Sequence, residues 1–409
     1  MKVGYVLLDG CADRPNPQLN YTTPLEAAYT PHLDDIARRS KLGEVITVKK
    51  GVAPESDIAV FNMLGYSFGE GYPGRGVIEA VGSGLEMADG DVALRANLAS
   101  VKGRRLVDRR AGRDLTQEEA QKLADEVRKV RLQDAEFEYR ATISYRGVLV
   151  IRANGELSGN VSNTDPAYSR VAGFGAARVI SSGEGALPSK ALSDTPGAKK
   201  AARLINEFVS KSAKVLAESE VNQERVRLGK LPANFLLLRD AGDHLPKVKT
   251  FQQRHGVNGT ALVELPAEVG IAKILGMKMV SVRDMKDLNE KAKLMARELR
   301  NDGVVYVHIK GPDEFGHDGD SVGKKENIES IDREFFATVA DLPKDVKIGV
   351  SCDHATPCTI KMHAADPVPL LATTNSKGDA LRFTERSARR GSLGNYRGAE
   401  VLDLLLRQD

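Results

Sequence analysis

Tryptophan is missing from the 409 residues, cysteine occurs three times, and no apolar run approaches the length that would span a bilayer. The opening MKVGYVLLDG enters a strand directly, without a cleavable signal pattern, so a cytoplasmic protein with no membrane partner is expected. Cys11, Cys352 and Cys358 form an odd set with no framework spacing, which agrees with a reducing compartment. An excess of one charge is lacking too. Lys plus Arg total 59 against 56 Asp plus Glu, a formal +3 that gives no case for a nucleic-acid partner. Internal repeats and low-complexity tracts are absent.

What is present describes a globular enzyme-sized chain. Hydrophobic residues make up 41%, and the length exceeds one ordinary core, so two domains or one domain with a large insertion are expected. The 28% charged content without tryptophan leans toward a thermophile.

The first ~70 residues read as strand, helix from Thr30 to Ser40, strand GEVITVKK, then the loop GVAPESD leading into the helix IAVFNMLGY. A glycine-rich stretch follows, in which Gly71, Gly74 and Gly76 are expected to serve as a hinge. The middle region shows period-two strands such as RATISYRGVLVIRA beside amphipathic helices. One helix begins at Thr116, with Glu119 completing a capping box, and runs to about Arg131; a second runs from about Ala198 to Val226. After residue 260 the strand-helix rhythm returns through TALVEL, VVYVHIK and KIGVSC. The expected fold is α/β, with residues 1–72 and 255–409 forming one domain interrupted by a smaller α/β insertion over 73–254.

Four short pieces from the two ends of the chain carry Asp9, Ser56, Asp313, His317, Asp353, His354 and His363. Asp9 and Asp353 each follow an apolar run that reads as a buried strand, and in open parallel sheets the carboxyl ends of the strands form the ligand-binding edge. Carboxylates and imidazoles together suit Mn²⁺, Zn²⁺, Co²⁺ or Mg²⁺. Asp313 and His317 are four apart and can share an ion from one helical turn, although Pro312, Gly316 and Gly319 argue for a loop entering a helix. Asp353 and His354 are adjacent, and the turn at Ala355-Thr356-Pro357 must aim them. Cys11 and Cys352 read as small packing residues rather than ligands. His32, His244, His255 and His308 lack aspartate neighbours at strand ends and read as packing histidines. Ser56 precedes a helix and reads first as its N-cap; a helix start also offers N–H donors to a phosphoryl group, and a divalent ion can make the hydroxyl a nucleophile.

With these residues in view, DG near the start, PESD before a helix, GPDEFGHDG, SCDHATP and a later histidine together resemble the alkaline phosphatase superfamily. Within it the chain is most similar to the archaeal-type 2,3-bisphosphoglycerate-independent phosphoglycerate mutases. The likeness extends through PGRGVIEAVGSG, ANLAS, SNTDPAY, ANFLLLRDAG and AEVGIAKILGM. The resemblance implies an alkaline-phosphatase-like domain with a mostly parallel sheet flanked by helices, an inserted transferase-like domain, and two divalent ions, Mn²⁺ first among them. One ion would be held by Asp9, Ser56, Asp353 and His354, and the other by Asp313, His317 and His363. Ser56 would take the phosphoryl group from 3-phosphoglycerate and return it to the 2-hydroxyl of the same glycerate. Arg95, Arg110, Arg113, Arg239 and Lys273 are the cationic candidates for the phosphoglycerate anion, with Asn97 and Asn234 as positioners and Asp165 as general acid/base. Arg104, Arg105 and Arg109 crowd beside Arg110 and Arg113 and read as part of a charged surface loop.

The nearest alternatives are a phosphomonoesterase, a phosphopentomutase or a sulfatase-like hydrolase of the same superfamily; APESD lacks the arginine that a sulfatase would want. A binding protein with a structural metal is the reading from another class. A homo-oligomer is compatible with all of them.

Overall fold

The computed structural model describes residues 1–68, 71–103, 105–171, 174–177, 184–282, 284 and 286–407. The chain divides into two compact units, one of residues 1–68, 248–264 and 271–409, the other of residues 69–247 and 265–270. No helix among the described residues is long and apolar enough to cross a membrane.

The first unit is built on an eight-stranded sheet in the order Lys278–Met279, Gly259–Leu262, Gly303–Ile309, Lys2–Leu8, Val346–Cys352, Val368–Thr373, Ser40–Ile46, Gly394–Arg397. All neighbours are parallel except Val368–Thr373, which runs antiparallel to both of its partners. Six of the seven residues of Lys2–Leu8 are buried, the continuous apolar run of a strand covered on both faces. Leu8 pairs in register with Ile309 on one side and Cys352 on the other. The next residues in each strand, Asp9, Lys310 and Asp353, therefore leave the sheet together at one edge.

Several helix limits differ from the sequence reading. Helix Pro31–Arg38 ends earlier, because Ser40 begins the next strand. The Thr30 side chain makes no capping bond and donates to Asp34 Oδ1 instead; the Asp332 carboxylate accepts from His32 N and Leu33 N in its place. Helix Ser321–Ile331 passes through a wide turn at Asp332–Phe336 before Ala337–Ala340.

The second unit carries an antiparallel five-stranded sheet. Its strand Val92–Lys102 is flanked by Arg146–Ala153, which pairs onward with Ala135–Ala141, and by Phe235–Gly242 with Arg105–Asp108. Alternation divides the faces: Val92, Leu94, Ala96 and Leu98 join a core with Leu123, Val127, Leu204, Ile205 and Phe208. Ala93 packs with Val77, Ala80, Val148 and Val150. The Thr116–Glu119 capping box is present, and its helix runs Gln117–Val127, short of Arg131. The single helix expected to Val226 is two, Pro196–Glu218 and Glu220–Arg227, because Ser219 is extended. A Cβ at Gly74 would lie 2.8 Å from Ala241 O, and one at Gly76 would lie 2.5 Å from Ala93 O. Glycine at these two positions lets helix Arg75–Gly82 lie against the strands, a packing reason that a hinge reading does not contain.

Candidate metal centre

Two donor groups form at the carboxyl edge of the first unit's sheet: Asp9, Asp353 and His354 in one, Asp313, His317 and His363 in the other, with ligand atoms within 4.8 Å of one another inside each. In the first, His354 Nε2 lies 3.5 Å from Asp9 Oδ1 and 3.4 Å from Asp353 Oδ2. In the second, His317 Nε2 is 3.5 Å from Asp313 Oδ2 and His363 Nε2 is 3.5 Å from Asp313 Oδ1. The rings of His354 and His363 stack with centroids 3.9 Å apart, which brings the two groups side by side. Asp313 and His317 share the short helix Pro312–Asp318 rather than a loop. Pro312 occupies its first turn and Gly319 its left-handed end, positions where both residues favour a helix terminus.

Each histidine is oriented through its other ring nitrogen. His317 Nδ1 is 3.1 Å from Lys361 O, His363 Nδ1 is 2.8 Å from Pro54 O, and His354 Nδ1 is 3.1 Å from Thr356 Oγ1. This leaves every Nε2 facing the carboxylates, as hydrogen bonds to the far ring nitrogen do for imidazoles at metal sites.

The electrostatics fit a cation. Among the described residues nothing donates a hydrogen bond to the buried Asp9 Oδ1 and Asp353 Oδ2, an arrangement costly without a positive partner. Burial pushes the Asp9 carboxyl up to about 7, with Asp353 and Asp313 adding to the effect against Lys310 and His308. Burial acts on Asp353 in the same sense, but His354, His308 and Lys310 outweigh it and hold that carboxyl below its ordinary range. One negative charge of the pair is thus favoured over two. Burial pushes His354 down to about 4, keeping its ring neutral and able to bind a metal. Burial also opposes charge on His363, yet its bond to Asp313 and the nearby Glu55 raise it to about 10. Asp313, in turn, is lowered by His363, His354 and His317 despite burial. Such proton sharing between acid and imidazole is what a divalent ion displaces on binding.

Ser56 is the first residue of helix Ser56–Met63, and Glu55, not Ser56, is the cap. The hydroxyl is therefore free of capping duty, and its Oγ lies 3.0 Å from His354 Nε2.

Three residues at this edge escaped the sequence reading. His308, expected to pack, is buried within 3.5 Å of Asp353 Oδ2 and 3.9 Å of Asp9 Oδ1. Lys310 Nζ lies 3.1 Å from Asp9 Oδ2. Thr356 donates to Asp313 Oδ1 at 2.6 Å. The adjacency of His308 and Lys310 to Asp313 in the chain was the available signal; Thr356 had only its place after Asp353-His354.

In the second unit, Arg95 and Arg239 stand opposite each other in the strand register. Arg95 Nε is 3.0 Å from Glu79 Oε1 and its Nη1 is 3.2 Å from Asp240 Oδ2. Arg239 Cζ sits 3.9 Å above the Tyr168 ring and its Nε is 3.6 Å from Asp240 Oδ2; among the described residues its buried Nε and Nη1 have no hydrogen-bond partner. Asn97 is buried two residues along the strand from Arg95. Asp165, expected as acid/base, accepts from Arg109 on both oxygens and from Ala167 N at 3.0 Å on Oδ1. These three bonds hold the carboxylate against Arg109 and Ala167. Asn234 pairs its amide with the main chain of Val101, Oδ1 accepting from Val101 N at 2.9 Å and Nδ2 donating to Val101 O at 3.0 Å, which fixes its orientation. Arg110 follows Asp108, whose carboxylate accepts from its N–H, and Arg113 is exposed on left-handed backbone. Lys273 is exposed in the last turn of helix Pro266–Ile274. Arg104 lies outside the described residues.

A family model described as 2,3-bisphosphoglycerate-independent phosphoglycerate mutase matches residues 37–222. A protein of that name from Aeropyrum pernix is 42% identical over 419 residues, covering 97% of each chain. Another from Methanopyrus kandleri is 39% identical, covering 99% of this chain and 95% of its own. Among solved structures, the cofactor-independent phosphoglycerate mutase of Thermoplasma acidophilum is 28% identical with a TM-score of 0.65, covering 99% of both chains. A Pyrococcus horikoshii protein is 29% identical with a TM-score of 0.80, over 100% of this chain and 98% of its own. Likeness at this level along the whole length, on a chain whose sheet edge gathers carboxylates, imidazoles and one serine, places it in the family of 2,3-bisphosphoglycerate-independent phosphoglycerate mutases.

Proposed function

We propose that the chain interconverts 3-phosphoglycerate and 2-phosphoglycerate, in glycolysis and gluconeogenesis, by an intramolecular phosphoryl transfer through Ser56. The observation that carries this reading is the Ser56 hydroxyl at 3.0 Å from His354 Nε2, beside two donor groups suited to divalent ions. Asp9, Asp353 and His354, with Ser56, would hold one ion, and Asp313, His317 and His363 the other. Mn²⁺ suits this mixture of hard oxygens and imidazoles, and Zn²⁺, Co²⁺ and Mg²⁺ are the other choices. When bound, the ions would neutralise phosphoryl oxygens and lower the pKa of the serine hydroxyl.

In the first half-reaction the bond from Ser56 Oγ to phosphorus forms as the bond from phosphorus to the 3-oxygen breaks. The serine hydroxyl gives up a proton and the glycerate oxygen gains one. In the second half the 2-hydroxyl of the same glycerate attacks and Ser56 is regenerated, so no second phosphoglycerate is consumed. In the second unit, the Arg95–Arg239 pair offers planar cations of the kind that bind a carboxylate. Arg239 in particular is buried, and its Nη1 has no hydrogen-bond partner among the described residues. Asp165 serves by holding Arg109. All three cysteines are free and buried, which supports a cytoplasmic setting.

The test is turnover of 3-phosphoglycerate by wild type and Ser56→Ala, each with chelator and with Mn²⁺ restored, following 2-phosphoglycerate and free phosphate separately. Wild type with Mn²⁺ should form 2-phosphoglycerate, and the variant should form none. A variant that isomerises at the wild-type rate rules out the phosphoserine route, and release of free phosphate alone would assign a phosphomonoesterase.

A further inference from the structure

The two donor groups are joined by one side chain that neither contains. Thr356 Oγ1 lies 2.6 Å from Asp313 Oδ1, in one group, and 3.1 Å from His354 Nδ1, in the other. We propose that Thr356 is a positioning residue that fixes the tautomer of His354 and the rotation of Asp313 together, and so sets the affinity of both ion positions at once.

The direction of the bonds follows from the chemistry. The Asp313 carboxylate can only accept, so the threonine O–H donates to it. The hydroxyl oxygen is then left to accept, and the neutral His354 ring must carry its proton on Nδ1 to supply the donor. Nε2 is therefore bare. It faces Ser56 Oγ at 3.0 Å, Asp353 Oδ2 at 3.4 Å and Asp9 Oδ1 at 3.5 Å. His317 and His363 are oriented by main-chain carbonyls of Lys361 and Pro54. His354, by contrast, takes its orientation from a hydroxyl that also holds the neighbouring group.

The hydroxyl is itself held rigidly. Thr356 N donates to Ala12 O at 3.1 Å, and Thr356 O accepts from Lys324 Nζ at 2.9 Å. Lys324 is anchored in turn by Asp13 at 2.8 Å, with both side chains fully buried. Two glycines leave the space for it. A Cβ on Gly10 would fall 2.6 Å from Thr356 Oγ1 and from Asp313 Oδ1, and one on Gly316 would fall 2.4 Å from Thr356 O. The glycines of the DG and FGHDG motifs thus surround the threonine from two elements.

The inference rests on the reading of these donor groups as ion sites, and the experiment separates the two. Mn²⁺ binding is measured calorimetrically for wild type, Thr356→Val and Thr356→Ser, with circular dichroism of each. The protonated ring nitrogen of His354 is read by ¹⁵N-histidine NMR of the metal-free protein. Valine keeps the volume and removes the hydroxyl. Wild type should take two ions, and the valine variant should bind both roughly 10–100-fold more weakly. Serine should restore the affinity, and wild-type His354 should carry its proton on Nδ1. Equal Mn²⁺ affinity in the valine variant, or a serine variant as weak as valine, overturns the proposal. So does a wild-type His354 protonated on Nε2, a readout that needs no variant to fold. Wild type that takes no Mn²⁺ sinks the ion-site reading and the affinity role with it, whatever the tautomer.

Discussion

Arg109 grips Asp165 with two bonds, Nε to Oδ1 at 2.8 Å and Nη2 to Oδ2 at 2.5 Å, and the carboxylate is fully buried beneath it. A carboxylate so engaged orients its partner. Asp165→Asn keeps the shape and loses the charge-assisted fork, a change of about 1.5–3 kcal/mol, or roughly 10–100-fold. The loss should fall on KM for 3-phosphoglycerate, with the pH-rate profile keeping its shape. Disappearance of one limb of that profile would return Asp165 to acid/base duty.

Gly10 has φ +55, and its missing Cβ leaves room for Asp313 and Thr356. Gly10→Ala meets both a left-handed backbone penalty and a steric conflict with two held side chains. The expected loss of stability is roughly 2–3 kcal/mol by urea unfolding of the metal-free protein. A loss within a few tenths of a kcal/mol would show that the neighbouring loops yield.

The alignment of Asp9 and Asp353 was legible because each ends an apolar run, and a parallel sheet converts strand ends into one edge. Asp313 and His317 were legible as a pair but not as a helix. Pro312 and Gly319 act as breakers in a sequence pattern, yet they occupy the two termini where those residues belong. His308 was misread because a strand buried on both faces has no polar alternation to reveal which side chain points to the edge. The Arg95–Arg239 pairing depends on antiparallel register between strands far apart in sequence, which no local pattern records. Likewise, the pairing of Asp165 with Arg109 was hidden, because in sequence Arg109 was one arginine of a crowd.

Metal removal should weaken the folded state. Asp9 Oδ1 and Asp353 Oδ2 are buried without donors, so an ion bound there stabilises the native chain alone. At a free Mn²⁺ concentration 100 times Kd, each site should add about 2.7 kcal/mol, seen as a rise in Tm over the chelated protein. Asp353→Asn should lose the increment of its own site. A Tm unaffected by chelator in wild type would remove both donor groups from consideration.

Stability should also fall as pH rises through neutrality, because of Glu385. Its carboxyl is buried, accepting from Thr23 Oγ1 at 2.7 Å and Asp13 N at 3.2 Å. Burial is the main cause that raises it from 4.5 to about 7. A raised acid holds its proton more tightly folded than unfolded. Below about pH 4.5 both states are protonated and the group is neutral toward folding. Between that value and about pH 7 the unfolded chain loses its proton first, so stability declines with pH, and the decline is complete above the folded value. The full decline is about 3 kcal/mol for an isolated group. Glu385→Gln keeps an oxygen for the Asp13 N–H and has no charge to bury. At pH 8 it should be more stable than wild type by urea unfolding, and at pH 4 the two should agree. A variant less stable at pH 8 would mean that the ionised carboxylate is the form the native structure prefers.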